Sequence, residues 1–425
     1  MVHVAEYIFV YDIQNGPSLG LPNGNVGVMV DEVQRKIQKC IQSALPRLGA
    51  RSPRLREKEA SLMTEENMPI GTSRRTFLKA GALAAASTLA APAFLRKAWA
   101  QEPFTVRVPG GYGDIWDIAF FKPFEAATGI KATGVVSKDF PFNEFKISVE
   151  TGAYRWSMAA GVTKELYFRL RDADLMDPID VNSPDIAARP AENVMPDWLP
   201  YGLYCFTMAY RETSFPQGLD SYRDMWNVTQ FPGRRSLRKR AVDAIEMTAR
   251  GIGIPAEDIY PMLKTPEGWD KVFAGLDEIR PHIAVWWESD PQMDQLIGSG
   301  DLDIFPISSH RAQKLKNDGA PVGISYTDGY FTTQGWAIPK GSPQGDVARE
   351  FIKFAAQPAH EAEFMKSTLM GPMHPKAFDH LDADLARTLP TYPDNLAKMR
   401  EQDAQFWLDH GEDARTRFEQ WILGS

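Results

Sequence analysis

Four stretches of the chain carry side chains that could hold a charged small molecule. Tyr112, Asp114 and Trp116 follow or lie in the glycine loop Gly110-Gly111-Tyr112-Gly113. Trp286-Trp287-Glu288-Ser289-Asp290 sets two indoles beside two carboxylates, and residues 330–334 run from Tyr330 to Gln334. Aromatic faces attract cations and carboxylates supply the countercharge, so such residues in one cleft would replace the water around an ammonium group. Arg235, inside the run Arg234-Arg235-Ser236-Leu237-Arg238-Lys239-Arg240, offers the opposite chemistry. With a helix N-terminus it could hold a carboxylate or phosphate. Each stretch also has a plainer use: Asp114 and Asp290 could cap helices, and a charge run is often a solvated face. Adjacent strand residues point to opposite sides, so one of Trp286 and Trp287 belongs to a core.

Motifs for catalysis or metal binding fail on inspection. Gly111-Tyr112-Gly113 is followed by Trp116 where a dinucleotide fingerprint requires glycine. His360-Glu361 has Phe364 where a zinc helix needs its second histidine, and the Asp172-x-Asp174 and Asp301-x-Asp303 pairs lack the later ligands of a calcium loop. No catalytic residue, cofactor or metal is expected. Cys205 is the one candidate nucleophile, and a lone cysteine in an apolar strand is usually inert core.

The elements that must position these groups read as α/β. A strand over 104–109, the glycine loop, a helix over 116–128 stopped by Gly129 and a strand over 130–136 make a βαβ unit, which favours a parallel sheet with ligand-facing loops at strand C-termini. Further strands are expected at 156–160, 201–210, 283–287, 302–305, 322–326 and 332–338, with Asp328-Gly329 between the last two. Helices are expected at 143–151, 164–173, 222–226, 241–250, 266–280, 292–297, 311–317, 346–356, 359–366, 395–410 and 413–423. The apolar, aromatic 201–210 strand is the candidate crossing between two lobes. A net charge of −8 argues against a general nucleic-acid binder.

Residues 73–100 divide the chain. Arg74 and Arg75, the Phe77-Leu78 step, a mildly apolar run from Ala80 to Phe94 and the ending Ala98-Trp99-Ala100 make an export signal of the twin-arginine type, with cleavage after Ala100. The run is too short and too weakly hydrophobic to span a bilayer, which needs about 20 apolar residues. Met68 is a natural start, so residues 1–67 are expected to be a preface absent from the mature protein. Removal of 1–100 leaves Cys205 as the sole cysteine, so the exported part can form no internal disulfide.

Residues 332–378 are the most recognisable. Gly335-Trp336-Ala337-Ile338-Pro339-Lys340-Gly341-Ser342-Pro343, then Phe351-Ile352-Lys353-Phe354-Ala355, Gln357-Pro358 and Gly371-Pro372, together with Phe124-Glu125-Ala126-Ala127-Thr128-Gly129 and Phe231-Pro232-Gly233, resemble the extracellular solute-binding proteins of ABC transporters, in the branch of the spermidine/putrescine binders. The resemblance implies a two-lobed periplasmic-binding-protein fold of the type II kind, with residues 104–205 plus 335–375 in one lobe and 206–334 plus 376–425 in the other. It further implies a periplasmic monomer that closes on a small polar solute, a polyamine or related amine, and hands it to a membrane permease. The candidate ligand residues are then Tyr112, Asp114, Trp116, Arg235, Trp286, Trp287, Glu288, Tyr330 and Gln334. Polyamine binders carry an aromatic-x-acid step before the Ala-Ile-Pro strand, and Thr332-Thr333-Gln334 departs from it, leaving amino-acid derivatives open. The rival is an enzyme on the same scaffold using Cys205.

Overall fold

The computed structural model describes residues 103–424, apart from 111 and 138–140. The signal at 68–100, with Arg74 and Arg75, and the preface at 1–67 lie outside the described residues.

Alternating apolar residues make β1 (Phe104–Val108), which pairs in parallel with β2 (Ala132–Val136) along its whole length. The helix between them begins as one π-helical turn, Asp117–Phe121, which turns Ala119, Phe120 and Phe121 into the core. It continues as α1 (Lys122–Thr128) and ends at Gly129, whose φ of 75° is left-handed and is the helix-ending conformation that glycine adopts without strain. The chain continues through α2 (Pro141–Thr151) to β3 (Met158–Thr163), which lies parallel to β1 on its other side. β3 starts two residues later than the sequence suggests, because Trp156 packs against Phe145 in a satellite core instead of extending the strand. From β3 the chain enters α3 (Lys164–Asp172) and a short β4 (Met176–Asp177).

Two long antiparallel strands carry the chain between lobes. β5 (Trp198–Arg211) sends Leu199 and Tyr201 into one core and Phe206 and Met208 into another. β9 (Val322–Pro339) runs beside it as one strand, although Asp328-Gly329 reads as a turn between two. The turn signal survives as a bulge. Pairing breaks between Phe206↔Tyr330 and Met208↔Ser325, and Asp328 adopts φ 59°.

In the second lobe β6 (Arg235–Arg238) pairs in parallel with β7 (Ile283–Trp287). The sequence reading saw only a charge run at β6, whose centre, Ser236 and Leu237, is fully buried. Helices α4 (Tyr222–Trp226), α5 (Ala241–Gly251), α6 (Pro266–Ile279), α7 (Asp290–Ser299) and α8 (Ser309–Asn317) belong to the same region, α5 packing against β6, α4 and α6, and α8 against β5 and β9. β8 (Ile307–Ser308) joins β5 just before α8. The expected strand at 302–305 is reduced to bridges from Ile304 to Tyr210 and Arg235.

α9 (Gly345–Ala355) and α10 (Pro358–Thr368) return to the first core, followed by β10 (Gly371–Pro372) on the edge of β5. The expected helices at 395–410 and 413–423 become β11 (Arg400–Glu401), paired with Tyr330 and Phe331 of β9, and a single α11 (Ala404–Leu423). Asp403 sets the new start by accepting the Phe406 N–H at 2.9 Å. α11 packs against both α3 and α5. The main sheet runs β10-β5-β9-β3-β1-β2, with β4 and β11 on β9 and β8 on β5.

Candidate functional site: the cleft at the crossing strands

Ligand-facing positions in parallel α/β units lie at strand C-termini, and the cleft here is built from two such ends and the crossing strands between them. β3 ends at Thr163, the N-cap of α3, whose hydroxyl accepts the Leu166 N–H at 3.4 Å and brings Glu165 into the first turn. β6 ends at Arg238 and is followed by Arg240, the N-cap residue of α5. Between them Tyr204 and Thr332 stand opposite each other on the crossing strands. Gln402, Ala404 and Trp407 close the side from the start of α11. These groups enclose a cavity of about 160 Å³, with Thr163 and Val242 completing its lining.

The cavity is charged at both ends. Arg240 donates from Nε and Nη2 to the two carboxylate oxygens of Asp243 at 2.7 and 2.9 Å, and Arg238 donates to the same carboxylate at 3.2 Å. Asp243 is fully buried. Two guanidinium groups therefore share one carboxylate, which favours a further anion beside them. The Arg238 guanidinium also lies 5.0 Å from the Trp287 ring centre and 5.7 Å from that of Phe206. Across the cavity, partial burial raises the carboxyl of Glu165, an otherwise exposed rim residue, above its ordinary value, against the opposing pull of Arg240 and Arg169.

A second cluster continues the cleft. The Tyr112 phenol, raised by burial, is hydrogen-bonded to Gln334 and stands within electrostatic range of Tyr204, and of Arg311 and Asp290 from the second lobe. Arg311 donates to Asp294 at 2.6 Å and to Asp290 at 3.2 Å. His310 beside it is pushed down to about 4 by burial and by Arg311, so it stays neutral near pH 7.

Of the residues singled out from sequence, Tyr112 and Gln334 stand in this second cluster, outside the lining of the cavity. Trp287 is buried and supports Arg238 from below. The others are elsewhere. Trp116 is 3% exposed in the first core, edge-on to Tyr201 and Trp336. Asp114 is exposed, and its main-chain carbonyl accepts from Ile118. Trp286 packs against Phe418 and Trp421 on the opposite face of β7 from Trp287. Glu288 is solvated and pairs with Lys239 at 2.8 Å. Tyr330 stacks on Phe206 in the second core and donates to Asp243 at 3.2 Å. Arg235 is 2% exposed and spends its donors on the carbonyls of Met225, Gly233 and Phe231. Glu165, Tyr204, Arg240 and Trp407 were not singled out. Reading β6 as a strand would have marked Arg240 as its C-terminal loop; no local pattern marks Trp407.

Cys205 lies at the back of the crossing strands, fully buried, with its thiol donating to Ser309 Oγ at 3.1 Å. Burial pushes it up to about 12, so it is a neutral thiol near pH 7 and lacks the thiolate a nucleophile requires.

Two α/β lobes joined by crossing strands, with opposed charges facing one cavity between them, define a binding protein that closes on a small polar solute. The family model for bacterial extracellular solute-binding proteins matches residues 119–391, and the chain belongs to that family. A gamma-aminobutyric acid-binding protein of Pseudomonas aeruginosa is 33% identical over 309 residues, 71% of this chain and 86% of the relative. Among solved structures, an ABC transporter substrate-binding protein from Bradyrhizobium japonicum USDA 110 superposes with a TM-score of 0.69 at 28% identity, over 76% of this chain and 100% of that one. MotA from A. tumefaciens B6, in complex with glucopine, gives 0.65 at 26% identity, over 75% and 99%. The protein is the substrate-binding component of an ABC importer, which captures its solute by lobe closure and delivers it to the permease.

Proposed function

We propose that the solute is a small zwitterion of the γ-aminobutyrate kind, its carboxylate against Arg240 and Arg238 and its ammonium against Glu165. The observation that carries this reading is that Glu165 and Arg240 line one cavity from opposite lobes. A ligand charged at both ends then bridges the lobes and favours the closed state by contacts that the open state lacks. Tyr204 and Trp407 supply aromatic faces for the methylenes between. The relative that binds gamma-aminobutyric acid supports the same class. The polyamine reading asks this cavity to hold a second ammonium beside two arginines, which repel it.

A thermal-shift screen tests the assignment, since a ligand that binds only the native state raises the melting temperature. γ-Aminobutyrate and its near homologues are expected to give the largest shift, opines a smaller one, and putrescine and spermidine none. A shift from polyamines alone would overturn it. Cys205→Ser, expected to bind as the wild type does, tests the enzyme alternative: loss of a turnover that the wild type shows would favour it.

The same reading takes the protein to the periplasm as a monomer, through Arg74 and Arg75 and cleavage after Ala100. N-terminal sequencing of the exported molecule checks this, with Gln101 the expected first residue. It takes residues 104–205 and 335–375 as one lobe and 206–334 and 376–425 as the other, except that 376–391 move with the first, because Leu389 belongs to that core.

A further inference from the structure

The bulge in β9 is tied to the cavity wall by a chain of buried polar contacts. Trp407 lines the cavity, yet its indole N–H points away and donates to Glu246 Oε1 at 3.1 Å. Glu246 is fully buried in the middle of α5 and also accepts from Tyr260 and from Arg250 Nη1. Arg250, 3% exposed, uses its Nε to donate to the main-chain carbonyl of Asp328 at 2.8 Å. Asp328 is the left-handed residue of the bulge, where four residues of β9, 326–329, stand between consecutive pairings with β5.

A non-glycine residue at φ 59° persists only where its surroundings hold it. Here the carbonyl is held by Arg250, the guanidinium lies 5.1 Å from the Tyr330 ring centre, and a Cβ at Gly329 would sit tightly, 3.0 to 3.1 Å from Met399 and two carbonyl oxygens. The ion pair alone would have been satisfied by any buried cation beside Glu246. The forked guanidinium does more, because one side chain holds Glu246 with one nitrogen and the strand carbonyl with another.

We infer that Glu246 and Arg250 are positioning residues that couple the ligand cavity to the crossing strand: packing against Trp407 fixes Glu246, Glu246 fixes Arg250, and Arg250 sets the bulge at Asp328 about which β9 bends when the lobes close. This rests on the cavity being the solute site. Neither residue touches the ligand.

The test is a double-mutant cycle read by hydrogen exchange over a peptide spanning residues 325–331, first without ligand. Trp407→Phe, which keeps an aromatic ring at the wall and removes the indole N–H together with part of the ring, is expected to speed exchange at the bulge at least fivefold. Arg250→Lys, which keeps a cation on Glu246 but not the fork, is expected to do the same while leaving the far-ultraviolet spectrum and the melting temperature close to wild type. In the combined variant the two effects are expected not to multiply. Exchange within twofold of wild type in Trp407→Phe, or effects that multiply, would overturn the coupling. If Trp407→Phe does not fold, Glu246→Gln takes its place with the same expected result. γ-Aminobutyrate is then added to the wild type, where it is expected to slow exchange at the bulge, and to Arg250→Lys, where it is expected to bind without slowing it. Slowing in Arg250→Lys equal to wild type would also overturn the coupling. If γ-aminobutyrate does not bind the wild type, the ligand assignment fails while the ligand-free cycle still decides the coupling.

Discussion

The two ends of β6 carry the same residue type and opposite assignments. At its N-terminal end Arg235 is buried against three main-chain carbonyls, with no carboxylate in contact. At its C-terminal end Arg238 and Arg240 share the buried Asp243, and Arg240 faces the cavity. The distance along the chain is only a few residues. What separates them is strand polarity: in a parallel unit the C-terminal end opens on the crevice between lobes, while the N-terminal end is stitched to loops such as 231–233. A cation at the C-terminal end can meet a solute. A cation at the N-terminal end can only satisfy the fold.

Substituting at each end breaks or sustains that contrast. Arg240→Met is expected to weaken binding of γ-aminobutyrate about 100-fold by titration calorimetry: the Arg240 side chain is 47% exposed without ligand, closure on the ligand desolvates it, and truncating one partner of a desolvated charge pair costs about 2–5 kcal/mol. Its melting temperature without ligand should move little, because Arg238 still faces Asp243. Arg235→Met should do the reverse. Leaving its carbonyls without donors in a buried site is expected to cost about 3 kcal/mol in denaturant unfolding, with the dissociation constant unchanged wherever the variant is folded. If Arg235→Met lost affinity and Arg240→Met did not, the assignment of the two ends would be inverted.

The same contrast explains what the sequence could and could not reveal. The first βαβ unit is legible because residues 104–109 alternate, Gly129 stops the helix, and both signals are local. The crossing strand is legible because its apolar run exceeds what a surface strand would carry. β6 was not, because five cations among residues 234–240 outweigh the two buried residues at its centre, and the eye then settles on Arg235 instead of Arg240. Asp328-Gly329 has true turn chemistry, but Arg250, 78 residues away, holds it as a bulge inside a continuous strand. Trp116 looks like part of a binding loop, but it packs edge-on against Tyr201 and Trp336, which no local pattern brings to it. Tyr112 and Gln334 come together because a loop after β1 and a crossing strand are placed by topology. Glu165 and Trp407 meet only when α3 and α11 pack.

Glu165 sharpens the comparison from the first lobe. Glu165→Gln keeps size and hydrogen bonding and removes the charge, so affinity for γ-aminobutyrate is expected to fall about tenfold, less than for Arg240→Met because one long exposed-edge carboxylate competes with water. The pH dependence follows from the raised carboxyl. An ammonium group needs the ionised form, so affinity should be full well above the folded value and should fall as pH decreases through it, beginning above the range where an ordinary glutamate, near 4.3, titrates. Calorimetry over a pH series that starts below the value of an ordinary glutamate and runs to neutrality is expected to show wild-type affinity rising with pH and Glu165→Gln flat. A slope of equal size in the variant would assign it to another group.

The smallest effect is expected at Glu288, which lies beyond the C-terminal end of β7 as Arg240 lies beyond that of β6. Strand polarity alone would therefore put it at the ligand. Its side chain is instead 65% exposed and pairs with Lys239, itself 40% exposed, at the solvent edge of the second lobe. A solvated pair of this kind contributes about 0–1 kcal/mol, screened by salt. Glu288→Gln is expected to change affinity less than about twofold and to leave its pH profile intact. Position at a strand end is therefore necessary for a charge to meet the solute and is not sufficient, since the charge must also turn inward from the rim. A tenfold loss in Glu288→Gln, measured beside Glu165→Gln in the same buffer, would move the ammonium site from the first lobe to the second and undo the pairing of Glu165 with Arg240.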